Sequence, residues 1–153
     1  MKTLEPIIAK HPFFAGLQPT YLELITGCAS NQIIKSGELL FHEGEQADHF
    51  YVIREGTLKL MVQMPAAGEV TLQTIHSGEI VGWSWLFPPY RWHFSGRAAT
   101  ELRVLAFDAA CLRQKCETDT GFGYEFLKRF SHIMMERLQA TRIQLIDLYQ
   151  VSQ

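Results

Sequence analysis

The chain has 153 residues, 47% of them hydrophobic and 20% charged, with a formal net charge of −2. That length supports one compact domain with a genuine core, expected to span residues 1–153. The near-neutral, dispersed charge argues against a broad nucleic-acid footprint and leaves no acidic or basic tail.

The N-terminal MKTLEPIIAKHPFF is broken by Glu5, Pro6 and Lys10, so it lacks the continuous apolar run of a signal peptide. No segment approaches the roughly 20 apolar residues of a membrane span, and a soluble, cytoplasmic protein is expected. Residues 3–10 predict a short helix, with Thr3 as its cap and Pro6 in the first turn, where a missing N–H is harmless. His11-Pro12 ends it. A second helix starts near Pro19, gathers Tyr21, Leu22, Leu24 and Ile25 on its apolar side and stops at Gly27. Residues 1–30 thus form an N-terminal helical segment.

From Asn31 to Phe107 the pattern changes to short apolar runs: Ile33-Ile34, 39–41, 50–53, 58–62, 70–75, Ile80-Val81 and 102–107. Turns built on Gly37, Gly44, Gly56, Gly68 and Gly78 separate them. Strands at this spacing predict an antiparallel sandwich or barrel rather than alternating βαβ units. The expected fold is mainly β with flanking helices: a jelly-roll (double-stranded β-helix) of about eight strands over 31–107.

Residues 108–153 read as helical. Asp108 caps a short helix through Cys111 and Leu112. After Asp119-Thr120-Gly121 comes the longest helix, about 122–149, on which Leu127, Ser131, Met134, Leu138, Thr141, Leu145 and Leu148 alternate spacings of four and three. That is a heptad seam, and it predicts a two-fold homodimer. Ile133, Ile143 and Ile146 lie off the seam and are expected to face the sandwich. The cysteines Cys28, Cys111 and Cys116 are odd in number and form no CxxC, so neither structural zinc nor a disulfide framework is expected. Cys111 and Cys116, five apart on the predicted helix, read as small buried hydrophobes.

All three tryptophans, Trp83, Trp85 and Trp92, fall in Ser77–Thr100, SGEIVGWSWLFPPYRWHFSGRAAT, together with Phe87, Tyr90, Arg91 and Phe94. The glycine ladder Gly37, Gly44, Gly56, Gly78 and Gly82, the stretch FHEGEQADHFYVIREGTLKL, the strand RAATELRVLAFD and the later RLQAT together resemble the cyclic-nucleotide-binding domain. That domain is found in Crp/Fnr-type catabolite activators and in regulatory subunits of cyclic-AMP-dependent kinases. The resemblance covers nearly the whole chain. It implies a β-roll with a long dimerising C-terminal helix and a ligand cassette at about 78–100, reached through Gly82. The implied ligand is a cyclic nucleotide such as cyclic AMP, or another small anion, and the implied activity is regulatory rather than enzymatic.

Two positions depart from the family pattern. Trp83 stands where the family has a glutamate that accepts a hydrogen bond from the ribose; losing that acceptor should cost about 1–3 kcal/mol. Counting back from the following strand puts the family's phosphate-binding arginine at Trp92, one residue beyond Arg91. A one-residue loop adjustment would restore Arg91, and Arg97 in Arg97-Ala98-Ala99-Thr100 imitates the kinase-subunit phosphate motif. Backbone N–H groups at Gly82 and Ser84 could receive a phosphate. Thr141 matches a helix position whose hydroxyl contacts the purine, with Arg142 beside it. The expected ligand-binding set is therefore Gly82, Trp83, Ser84, Arg91, Trp92, Arg97, Thr141 and Arg142.

Three readings compete. In the first, the cassette is an aromatic box that stacks on a flat ligand. In the second, its own indoles close it, and the chain is a ligand-free dimeric scaffold or protein-interaction module. A cupin-like metalloprotein is the third. His42 and His49 are seven apart, no HxH occurs, and no metal is expected. Nothing in the spacing of Ser, His, Asp or Glu points to catalysis. Activators of this type follow the long helix with a helix-turn-helix, and the chain stops at Gln153; DNA binding by this chain is not expected, and an unidentified protein partner is.

Overall fold

A computed structural model describes residues 4–151. Two compact units result, one running through Gln114 and one from Lys115 onward. The first opens with α1 (Glu5–Lys10) and α2 (Pro19–Thr26), each with a proline in its first turn. The residue before α1 is Leu4, which makes no side-chain cap; the expected cap, Thr3, lies outside the described residues.

Eight strands follow: β1 Ala29–Ile34, β2 Leu39–Phe41, β3 His49–Glu55, β4 Leu58–Met64, β5 Gly68–Ile75, β6 Ile80–Val81, β7 Ser95–Ala98 and β8 Leu102–Asp108. They form two four-stranded antiparallel sheets, ordered β1-β8-β3-β6 and β2-β7-β4-β5, so the expected jelly-roll is present. One strand escaped the apolar pattern. β7 (SGRA) has no large apolar residue, because its inward positions are Gly96 and Ala98.

Successive residues of a strand face opposite sides, and β3 uses both. Phe50 stacks on Phe107 of β8 at 4.5 Å between ring centroids, in a cluster with Phe13, Phe14 and Trp85. Its neighbour Tyr51 faces the other way, towards Phe41 and Trp92. Thus β3 is buried from Phe50 through Ile53 and divides two aromatic layers.

The cysteine expectation is corrected. Cys28 and Cys111 form a disulfide, with Cα atoms 6.0 Å apart across a sequence separation of 83; Cys116 is free. Sequence distance hid the pairing. Ala29 pairs with Phe107 at the end of the β1–β8 ladder, and the Asp108 N–H donates to the Cys28 carbonyl at 2.9 Å. That brings the first turn of α3 (Ala109–Thr118) beside Cys28. The Asp108 carboxylate accepts from the Cys111 N–H at 2.7 Å, as its capping role predicts.

In the second unit, α4 spans Thr120–Val151, starting two residues earlier than expected. Asp119 caps it by accepting from the Phe122 N–H at 3.0 Å. Phe122, Phe126 and Phe130, one turn apart, are buried. Ile143 and Ile146, expected to be covered, are 59% and 55% exposed. Among the described residues, no helix is long and apolar enough to cross a membrane.

Candidate functional site

The cassette is built on Gly82, whose φ is +104°. A side chain is rarely tolerated there, and space forbids one as well: an added Cβ would lie 2.7 Å from the Trp92 indole. Trp92 is 4% exposed and stacks on Phe41 at 3.7 Å with an interplanar angle of 12°. Phe41 in turn pairs across strands with Gly96, where an added Cβ would meet its ring at 2.7 Å. Two glycines therefore seat two stacked rings between them, and the ring pair fills the interior beneath the cassette turn.

After Gly82, Trp83 is half-buried and leads into a single 3-10 turn, Ser84–Leu86. Trp85 is fully buried, and its indole N–H donates to the Gly82 carbonyl at 3.1 Å. The Pro88-Pro89 peptide is cis and Tyr90 has φ +59°. A non-glycine residue in that region is uncommon and needs surrounding contacts to hold it. Arg113 of α3 supplies two: Nη1 donates to the Trp85 carbonyl at 2.7 Å, and the guanidinium lies 4.2 Å over the Tyr90 ring. Segment 90–92 is also stitched to the β2–β3 loop. Ala47 N–H donates to the Tyr90 carbonyl, Trp92 N–H to that of Glu45, and Gly44 N–H to that of Trp92.

Both candidate phosphate-binding arginines are engaged by protein acceptors. Arg91 is exposed and donates to the Gly44 carbonyl at 2.9 Å. Arg97 donates to the Gly37 carbonyl at 2.7 Å and to the Glu69 carboxylate of β5 at 3.0 Å. It alternates with the buried Gly96 and Ala98 and so takes the outward face of β7. Of the expected set, Gly82 and Trp92 touch, and Trp83 and Ser84 adjoin them. Thr141 and Arg142 lie on α4, both exposed, and the Thr141 hydroxyl donates back to the Arg137 carbonyl at 3.0 Å.

Beside the ring pair lies a cavity of about 250 Å³, floored by Phe41, Tyr51 and Trp92 and rimmed by His42, Asp48 and His49. No lysine or arginine lines it. Tyr51 is 6% exposed, yet no described group bonds its hydroxyl, and among the described residues no buried side-chain polar atom lacks a partner. Its oxygen therefore reaches open space at this cavity. Burial, with the Asp48 carboxylate adding to it, pushes the phenol up to about 12. Neither Tyr51 nor Arg113 was singled out from sequence. Tyr51 sits in an apolar run, and Arg113 meets the cassette only through the packing of α3. Among the described residues, no cluster of His, Cys, Asp or Glu could hold a metal ion.

The family model of the cyclic nucleotide-binding domain matches residues 32–119. A CRP-like cAMP-activated global transcriptional regulator of Mycobacterium tuberculosis is 25% identical over 145 residues, 95% of this chain and 63% of that protein. The chain thus spans 63% of the length of this curated relative. Among solved structures, a candidate cyclic nucleotide-binding protein of Geobacter metallireducens GS-15 superposes with a TM-score of 0.77 at 26% identity. That match covers 90% of this chain and 96% of the other. A cyclic nucleotide-binding domain from Methylobacillus flagellatus KT reaches a TM-score of 0.78 at 16% identity, covering 95% and 82%, a likeness of fold. With the family model matched over more than half its length, from β1 through the cassette to α3, the chain belongs to the cyclic nucleotide-binding domain family.

Proposed function

We propose that the chain is a non-enzymatic regulatory domain of this family whose cassette is closed to cyclic phosphates by its own indole. One observation carries the reading: Trp92, at the slot the resemblance gives to the phosphate-binding arginine, is buried against Phe41 and the bare Cα of Gly82. A cyclic nucleotide would have to displace a stacked ring and would find Trp83 in place of a ribose acceptor. A well-placed guanidinium–phosphate pair contributes about 1.5–3 kcal/mol; here Arg91 and Arg97 already have acceptors. Family membership and the regulatory relative support a sensor-type role. The chain is proposed to work as a single-domain homodimer through α4 and to pass its output to a protein partner.

The test uses the cassette tryptophans themselves. Titrating cyclic AMP, cyclic GMP and cyclic dinucleotides while following indole fluorescence and melting temperature should give a flat response at millimolar ligand, with Arg91→Ala equally silent. A saturable response with a micromolar midpoint overturns the closed cassette and restores Gly82, Ser84 and Arg91 as a nucleotide site.

A second reading is favoured by the Tyr51 cavity. Its aromatic floor and unbonded phenol, with Glu45 and Asp48 beside His42 and His49 in its lining, suit a small flat compound that is neutral or cationic. Such a ligand would alter the Trp92 emission without competing with any phosphate.

A further inference from the structure

We propose that Cys28 and Cys111 are a redox-active pair, reversibly joined by exchange with low-molecular-weight disulfides, and that their state is transmitted to the cassette through α3. The inference does not depend on what the cassette binds.

Three observations meet at this pair. First, the two cysteines are held together by contacts other than the sulfur bond. The Cys28 carbonyl accepts from Asp108 N–H, the Asp108 carboxylate accepts from Cys111 N–H, and Ala29 pairs with Phe107 alongside. A dithiol form therefore keeps the two Cα atoms close to their present 6.0 Å, so bond formation and cleavage need no unfolding. Second, the two thiols differ in access. Cys28 is 7% exposed, whereas Cys111 is half-buried, so Cys111 is the more exposed residue of the two and is assigned the first attack. Third, two residues beyond Cys111 on the same helix, Arg113 holds the Trp85 carbonyl and covers the Tyr90 ring. The bond ties the first turn of α3 to the start of β1 and so fixes the base from which Arg113 reaches the cassette.

The chemistry balances with a small disulfide RSSR as oxidant. The Cys111 thiolate attacks one sulfur, forming a mixed disulfide and releasing RS⁻. The Cys28 thiolate then attacks the Cys111 sulfur, closing the protein bond and releasing the second RS⁻. Two protein thiols become one disulfide and RSSR becomes two RSH; excess RSH runs the exchange backwards. Cys116 stays outside the cycle. Burial, and secondarily Glu117, raise its thiol above the usual range, which disfavours the reactive thiolate.

The experiment places the full chain in buffers of stepped reduced-to-oxidised glutathione ratio, quenches with acid, alkylates and maps the cysteines by mass spectrometry. Indole emission is recorded on the same samples. The expected result is joint, reversible loss of the Cys28 and Cys111 thiols while Cys116 remains alkylatable, with emission changing at the same midpoint. The reduced form should melt about 5–10 °C lower. In Arg113→Met, the pair should still cycle but the emission change should be lost. In Cys111→Ser, emission should stay at the reduced value in every buffer. If either variant fails to fold, the wild-type thiol map and emission decide alone. A pair that exchanges only after unfolding overturns the proposal, leaving a structural crosslink. A pair that cycles with unchanged emission also overturns it, because transmission to the cassette is then absent.

Discussion

At the residue scale, the interior of the roll is governed by what two glycines leave out. Gly82 and Gly96 each yield the volume of a side chain to a ring, the first to Trp92 and the second to Phe41. Gly82→Ala should be costly on two counts. The positive φ contributes about 1–3 kcal/mol of strain, and the methyl group drives into an indole that is 4% exposed. Urea unfolding should register the loss. Combining it with Trp92→Leu should cost less than the sum of the two single changes, because only the steric part is relieved.

Tyr51 supplies an alkaline signature. Its phenol, raised by burial to about 12 against an ordinary value of 10.0, stays protonated in the fold after it ionises in the unfolded chain. Below pH 10 both states hold the proton and stability is unaffected. Between pH 10 and about 12 the unfolded state alone gains by ionising, so stability falls by about 1.4 kcal/mol per pH unit. Tyr51→Phe should lack that share of the decline, and the difference between the two unfolding curves over this range measures it. Equal slopes would mean that the phenol ionises as readily in the fold as in the unfolded chain.

At the element scale, strands and turns could be read from sequence because alternation and glycine placement are local signals. The exception is informative. β7 offers only Ser95, Gly96, Arg97 and Ala98, and its identity depends on pairing with Phe41 and with Leu58–Met61. Aromatic density marked the cassette as the feature of interest, but which rings face inward was not legible. Trp92 turns in because Gly82 and Phe41 make room for it, a fact of two distant segments. Arg113 and the Cys28–Cys111 bond were invisible for the same reason, since both link α3 to segments far away in the chain. The start of α4 was misplaced because Asp119-Thr120-Gly121 looks like a turn ahead of the helix. In the structure Asp119 caps the helix, and Gly123 lies where a Cβ would sit 2.9 Å from the Cys116 carbonyl, so that glycine serves close packing.

At the scale of the whole molecule, α4 carries the argument for assembly. Its buried apolar residues end at Phe130; beyond them Met135, Leu138, Ile143, Leu145, Ile146, Leu148 and Tyr149 are all more than half exposed. Exposed apolar side chains in such number on one helix are the reason to expect an interaction site there. Leu138, Leu145 and Leu148 fall on the four-and-three spacing that a second α4 would match. A two-fold pairing covers the same stripe on both copies, which a single unlike partner need not do. Sedimentation of the wild-type chain should therefore give a dimer. Leu138→Glu with Leu145→Glu should give a monomer, because like charges would face each other across the two-fold axis. The helical signal in circular dichroism distinguishes loss of pairing from loss of α4: it should persist over the segment anchored by Phe122, Phe126 and Phe130 and fade towards Tyr149. A wild-type chain that sediments as a monomer at tens of micromolar would transfer this face to a partner of another kind and remove the dimer from the regulatory proposal.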